Sequence, residues 1–299
     1  MEKMKFNTVV TAINDYINQL GTKEIIDAIR FAAPSIQYFT IQNGVNEDTD
    51  IHLMEVNGAL MSGKGCDPSA NNTTFTYTDR RLHPAYMKQE SIDCLDALYG
   101  KWMAWDARYG ASTEEIPFAQ KMIEKLQENV GENLEEFIWQ GATIGGETFK
   151  GITDIIEDAS EASKKIYCDP STCTVYDQVV EIIKQAPSKS RRKTEIFMSE
   201  DKFIALKEEL LKRDFRLYDL TFTNGTANGT VDETTIKMPV YGNLVHAVYG
   251  LKGIDHVYGL VNEHVVYGTS NDADRTDILS ITNLERELHT LRCKFIACI

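Results

Sequence analysis

Residues 117–140 read PFAQKMIEKLQENVGENLEEFIWQ, and Gly141 follows. Met122, Ile123, Leu126, Val130, Leu134, Phe137 and Ile138 recur at intervals of three and four, the period of one α-helical face. Pro117 suits the first turn of such a helix, where its missing N–H leaves nothing unpaired. Ser112 with Glu115 offers a capping box slightly upstream, and Gly141 supplies the stop. At 1.5 Å per residue the helix is about 36 Å long, a structural beam. Residues 111–165 around it carry 12 acidic and 5 basic side chains, which is −7, half of the chain's net −14. Such a charge run reads as a solvated helix face.

On the N-terminal side, Val9, Ile13, Ile17 and Leu20 share a helical face that Gly21 closes. A second short helix has Thr22 as its candidate cap and Ile25, Ile26 and Ile29 as its apolar face, and it ends before Pro34. Both are too short to stand without something to bury their stripes. From Ile36 to about Thr78 the pattern changes to alternation of β-branched, aromatic and polar residues, as in Phe75-Thr76-Tyr77-Thr78. The intervening stretch 58–74 is rich in Gly, Ser, Asn and Thr. This predicts a long two-stranded excursion with a polar tip, too poor in apolar residues to form its own core and so in need of a support. Residues 90–109, with Leu95, Leu98, Tyr99, Trp102, Met103 and Trp105, are expected to be helical and buried.

On the C-terminal side helices and strands alternate. Val175 to Ala186 reads as a helix closed by Pro187, and Ile196–Met198 as a short strand. Ser199 is placed to cap a helix carrying Phe203, Leu206, Leu210 and Leu211, with Lys212 and Arg213 at its negative end. The segment 218–267 is strand-rich around an Asn224–Thr230 turn, and Leu291 to Ile299 alternates like a strand. The class is α+β.

Composition narrows the function. The chain has 299 residues, 42% hydrophobic and 25% charged, enough for a sizeable core. A net charge of −14 argues against wrapping nucleic acid through phosphate neutralisation. No apolar run is long enough for a membrane span, and the start lacks the apolar centre of a secretory signal. Four Asn-x-Thr sequons therefore read as turn chemistry. Cys66, Cys94, Cys168, Cys173, Cys293 and Cys298 are expected as free thiols. A zinc site would need two well-placed pairs, and a strand over 293–298 sets its two sulfurs on opposite faces.

The search for chemistry is largely negative. His52, His83, His246, His256, His264 and His289 show no metal-ligand spacing and read as surface or satisfied core histidines. There is no nucleophile elbow or P-loop, and the glycines of 141–146 follow a helix, where a phosphate cradle would follow a strand. Glu135/Glu136 and Asp154/Glu157/Asp158 are acidic neighbours expected by chance among 45 carboxylates. Lys189, Arg191, Arg192 and Lys193 form the one cationic cluster; it reads as a solvated loop, with nucleic acid or an acidic partner as the sharper alternative. No catalytic, cofactor-binding or metal-ligating residue is expected.

Several motifs resemble those of tailed-bacteriophage major capsid proteins, especially the group infecting Bacteroidota that includes the crAss-like phages. The carriers are Gly63–Ser69 with Phe75–Leu82, Ile116–Ala119, Glu135–Gly141, Phe149–Ile152, Ile196–Ser199, Gly250–Gly253 and Asn262–Thr269, in order over about residues 50–299. Ser270 and Ala297 depart from the pattern, where aspartate and glycine are common. The resemblance implies a Hong Kong 97-like fold: an N-terminal arm over 1–49 and an extended loop over 50–88. A peripheral domain over 89–165 would hold the spine helix 117–140, followed by an axial domain over 166–274 and a return segment over 275–299. It also implies a non-enzymatic subunit that forms pentamers and hexamers of an icosahedral head around double-stranded DNA. Portal and possible scaffolding, decoration or cement proteins would be partners, with no cofactor and no membrane. The expected location is the virion, assembled in the host bacterial cytoplasm. The rival readings are a tail or decoration protein, and a metal-dependent hydrolase built on the carboxylates at 154–158.

Overall fold

The long helix α1 spans Ile116–Gln140, with Pro117 in its first turn. Its stripe is buried as the spacing requires: Ile123, Val130, Leu134 and Ile138 are inside, Trp139 joins them, and Met122, Leu126 and Phe137 pack at the margin. Gly141 ends the helix with φ +71°, a left-handed conformation that a side chain disfavours, and its N–H bonds the Phe137 carbonyl. The computed structural model describes residues 31–57, 74–94, 116–144, 147–158, 173–213, 234–238, 241–270, 277–283 and 288–298. Asp15, Ile17, Ala28 and Ile29 are described singly. The rest of the two N-terminal helices, the ribbon tip at 58–73, the expected helix over 95–109, the Ser112/Glu115 cap and the Asn224–Thr230 turn lie outside the described residues.

Two sheets share core side chains with this helix. In the first, β4 (Ala85–Cys94) and β13 (Leu288–Cys298) pair antiparallel from Ala85↔Ala297 to Cys94↔Leu288. On the other side of β13 lie β12 (Asp277–Asn283) and β11 (Val266–Thr269), and β1 (Thr40–Asn43) adds in parallel to β11. Residues 90–94 are therefore strand, which corrects the helix expected there. Their partner sits some 200 positions away, and local composition carries no trace of it. Ile36 also departs from expectation: it is buried in a short 3-10 helix, Pro34–Tyr38, ahead of the first strand.

The second sheet has the order β10 (Tyr258–Val261), β7 (Thr194–Met198), β9 (Leu244–Ala247), β8 (Thr235–Lys237), with β7 and β9 parallel. Helices α3 (Val175–Gln185) and α4 (Glu200–Lys212) cover it. Val179, Ile183, Phe203, Leu206 and Leu210 meet Ile196, Met198, Ile236 and Val245 in one core. The N-terminus of α3 is satisfied twice over. Thr174 and Asp177 form a capping box, and the Glu209 carboxylate accepts from the Val175 and Tyr176 N–H groups at 3.2 and 2.9 Å. Ser199 stands at the start of α4 as expected, but its hydroxyl makes no capping bond.

Two small ribbons complete the described chain. β5 (Ala142–Ile144) and β6 (Glu147–Phe149) fold back beside Gly141 and lead to the short α2 (Ile152–Asp158). A Cβ on Gly151 would lie 2.3 Å from the Gly141 nitrogen, so this glycine lets two backbone segments cross. The larger ribbon pairs β2 (Thr49–Asn57) with β3 (Thr74–Leu82) over nine residue pairs and, among the described residues, joins no other strand. Its base is anchored by Val45 and Leu82 against Ile51 and Val266.

Candidate functional site

Directly opposed residues of an antiparallel pair share a face. On β2 and β3 the pairs Asp50↔Arg81, His52↔Asp79, Met54↔Tyr77 and Val56↔Phe75 therefore form one ladder. Its basal half is ionic. Arg81 grips Asp50 in a fork at 2.7 and 3.2 Å, and His52 Nδ1 lies 2.6 Å from Asp79. The hydrogen bond from Arg81 holds the Asp50 carboxyl below its usual range, and the bond to Asp79 raises His52. The distal half is apolar and faces solvent: Met54 is 56% exposed, Val56 51%, Phe75 56% and Tyr77 66%. Four large apolar side chains thus share one exposed face of the ribbon. The expectation of a ribbon poor in apolar content needs correction here. The ribbon carries apolar side chains but directs these away from its own chain. The period-two placement of Met54/Val56 and Phe75/Tyr77 was the available signal.

The N-terminal segment, α1 and the turn Tyr249–Leu251 meet at a buried polar junction. Glu135 is 1% exposed, accepts the Ser35 N–H at 2.9 Å and also bonds the Ser35 hydroxyl; Trp139 Nε1 donates to Ser35 Oγ at 2.8 Å. Burial raises the Glu135 carboxyl above its ordinary value, and the bonds from Ser35 oppose that shift. Gln140 Nε2 donates to the Gly250 and Lys252 carbonyls at 2.7 and 3.2 Å. Of the acidic pair noted in the sequence, Glu135 is buried structure and Glu136 is solvated.

A second buried polar set crosses the other sheet. His246 is 2% exposed, with Nε2 2.7 Å from Glu195 Oε2 and Nδ1 3.0 Å from Thr235 Oγ1. Its ring stacks on Phe197 and lies against Tyr38. Burial pushes the Glu195 carboxyl up, but the hydrogen bonds from His246 and Asn262 outweigh it and leave a net lowering. His256 and His264 are exposed, so the three histidines close in sequence do not converge.

The cationic run is half consumed by folding. Arg191 donates to the Lys184 and Ala186 carbonyls and closes the C-terminal end of α3, while Lys193 pairs with Glu263 at 2.9 Å. Lys189 and Arg192 are exposed in the same turn. Around α2, Asp158 pairs with Lys150 at 2.7 Å and Asp154 accepts the Gly151 N–H at 3.3 Å. Among the described residues no group of three His, Cys, Asp or Glu side chains is placed to hold a metal ion, and no helix is long and apolar enough to cross a membrane. Cys173 is disulfide-bonded, which corrects the expectation of free thiols throughout. Cys293 and Cys298 both lie on β13, five positions apart and so of opposite parity.

No protein-family model matches the chain, and no curated protein sequence matches it. Solved structures do. A chain of the cyanophage A-1(L) capsid asymmetric unit matches with TM-score 0.57 at 10% identity, over 89% of this chain and 88% of that one. The capsid of an empty GTA particle matches with TM-score 0.54 at 10% identity, over 89% and 85%. A chain of the satellite phage P4 procapsid, which includes the size determination protein, matches with TM-score 0.53 at 8% identity, over 91% of each. At these identities the likeness is one of fold. The architecture is the α+β, Hong Kong 97-like fold of phage capsid chains.

Proposed function

We propose that the chain is the major capsid protein of a tailed bacteriophage, a non-enzymatic shell subunit with kin among the crAss-like and related Bacteroidota phages. In this reading it forms pentamers and hexamers of an icosahedral head around double-stranded DNA, which it encloses without sequence-specific contacts. Portal and possible scaffolding, decoration or cement proteins complete the particle, which is built in the host bacterial cytoplasm. Residues 1–49 serve as the arm, 50–88 as the extended loop, 89–165 as the peripheral domain, 166–274 as the axial domain and 275–299 as the return segment. The roles are geometric, and no residue is assigned to catalysis, cofactor or metal.

One observation carries the reading beyond fold likeness: the exposed apolar block Met54, Val56, Phe75 and Tyr77, on a ribbon that among the described residues pairs only with itself. Fully burying such side chains is worth about 1.5–3 kcal/mol each. Their exposure in one chain is thus a free-energy gain left for a second copy. Heterologous contacts, one patch reaching a different patch on the neighbour, close into rings where the rotation between copies closes. The test is expression alone and with phage partners, followed by negative-stain imaging. Closed shells of uniform diameter support the proposal. A chain that stays monomeric at high concentration and forms no particles with partners overturns it. Counting copies per virion separates a shell subunit from a tail or decoration protein.

A further inference from the structure

Gly131, Glu135 and Trp139 stand at i, i+4 and i+8 of α1, one stripe along its surface. The N-terminal segment crosses this stripe and meets all three. A Cβ on Gly131 would lie 3.0 Å from Ala32 Cβ and 3.1 Å from the Ala32 carbonyl oxygen, so the segment passes close over a glycine in mid-helix. A central glycine costs a helix about 1 kcal/mol relative to alanine, a cost that makes sense where another backbone needs the room. One helical turn on, Ser35 meets Glu135 and Trp139 through three hydrogen bonds. The 3-10 turn Pro34–Tyr38 has no side-chain cap of its own at Ala33, and the Ser35 amide is satisfied by Glu135. The carboxylate is therefore a cap supplied from a hundred residues away. Immediately after the turn the chain enters β1, an edge strand whose four residues are all exposed.

We infer that the Gly131–Glu135–Trp139 stripe is a register-setting dock for the N-terminal segment, latched by Ser35, which fixes the position of residues 31–39 on the helix. Apolar packing alone is non-directional and tolerates sliding; a serine bonded at both its amide and its hydroxyl admits one register. Ser35 and Glu135 are positioning residues. The groups that bear on Glu135 are few. Burial dominates its carboxyl, with Ser35 and Trp139 opposing, and no charged neighbour contributes. The charged or titratable groups nearest to it in sequence on the packed elements are Glu132 and Glu136 on the helix, Tyr38 on the segment, and Tyr249 and Lys252 at the facing turn.

Hydrogen exchange on the full chain tests the dock, with the peptide Glu200–Lys212 as internal reference. Ser35→Ala and Glu135→Ala are expected to speed exchange across residues 32–39 about tenfold, the size expected for one lost buried bond to a charged group, and to leave the reference unchanged. Glu135→Gln should restore most of the protection. In the unaltered chain, protection corrected for intrinsic rates should fall as pH rises above the ordinary carboxyl value of 4.5, a slope that Glu135→Gln lacks. Segment and reference accelerating together, or no change in the segment, would overturn the inference. If Glu135→Ala fails to fold, Ser35→Ala, which removes one hydroxyl, decides alone.

Discussion

The long helix and the β2–β3 ribbon treat their apolar residues in opposite ways. Helix α1 turns Ile123, Val130, Leu134, Ile138 and Trp139 into the body of its own chain, and the N-terminal segment and the Tyr249–Leu251 turn close over them. The ribbon has comparable side chains in Met54, Val56, Phe75 and Tyr77 and holds them in solvent. The first arrangement stabilises the chain itself; the second leaves apolar surface in water. Under the proposed function, folding and association are separated in this way, so substitutions in the two regions should fail in different assays.

The sharpest way to break that contrast is to charge the ribbon. The double substitution Met54→Asp and Tyr77→Asp should abolish particle formation as seen by electron microscopy. The unassembled chain should keep its denaturation midpoint, because exposed substitutions cost within about ±0.5 kcal/mol. A large drop in monomer stability would mean that the ribbon supports its own chain after all. Trp139→Ala should do the reverse, costing about 3–5 kcal/mol in chemical denaturation by opening a cavity where Phe39, Phe197 and Tyr258 converge. Gly250→Ala is a smaller test of how tightly the turn sits on the helix. The new Cβ would lie 2.3 Å from the Glu135 carbonyl oxygen and 2.6 Å from Trp139 Cδ1, and relieving that overlap should cost about 1–3 kcal/mol.

The smallest effects are in pH, and they have opposite signs at Glu135 and Glu195. Glu135 is raised by burial, so its contribution is fully present below about 4.5 and lost as pH rises through its folded value. Glu135→Gln should therefore gain on the unaltered chain as pH increases. Glu195 is lowered, its bonds to His246 and Asn262 outweighing burial. Its contribution is present above about 4.5 and lost as pH falls through the folded value. Glu195→Gln should lose stability at neutral pH and lose progressively less as the solution is acidified. Denaturant midpoints across a pH series report both, and slopes of the same sign would contradict the assignments.

Local chemistry made much of this legible. Period and punctuation placed α1 to within a residue of its observed start and end, because Pro117 and Gly141 act through their own backbones. The Val175 helix closed before Pro187 for the same reason. The ribbon was legible as two alternating strands, but its outward apolar face was underestimated, since alternation says that two faces differ and not which one finds a partner. Residues 90–94 misled because their pairing partner is β13. Glu135 shares a helical stripe with Gly131 and Trp139 while Glu136 shares one with Glu132 and Gln140, but the polar partners that meet the buried groups, Ser35 for Glu135 and Glu195 and Thr235 for His246, lie far away in sequence. Arg191 looked like one of four loop cations until the end of α3 came within reach of its guanidinium.

By itself, then, the amino-acid order determined the helix, its stops, the alternating ribbon and the mixed class, all set by interactions spanning a few residues. Only the tertiary structure decided which carboxylate is buried, which cations are consumed as caps and which apolar face stays in water. Those outcomes depend on segments a hundred or more positions apart being brought into contact, where desolvation and hydrogen bonding act on pairs that no local pattern records.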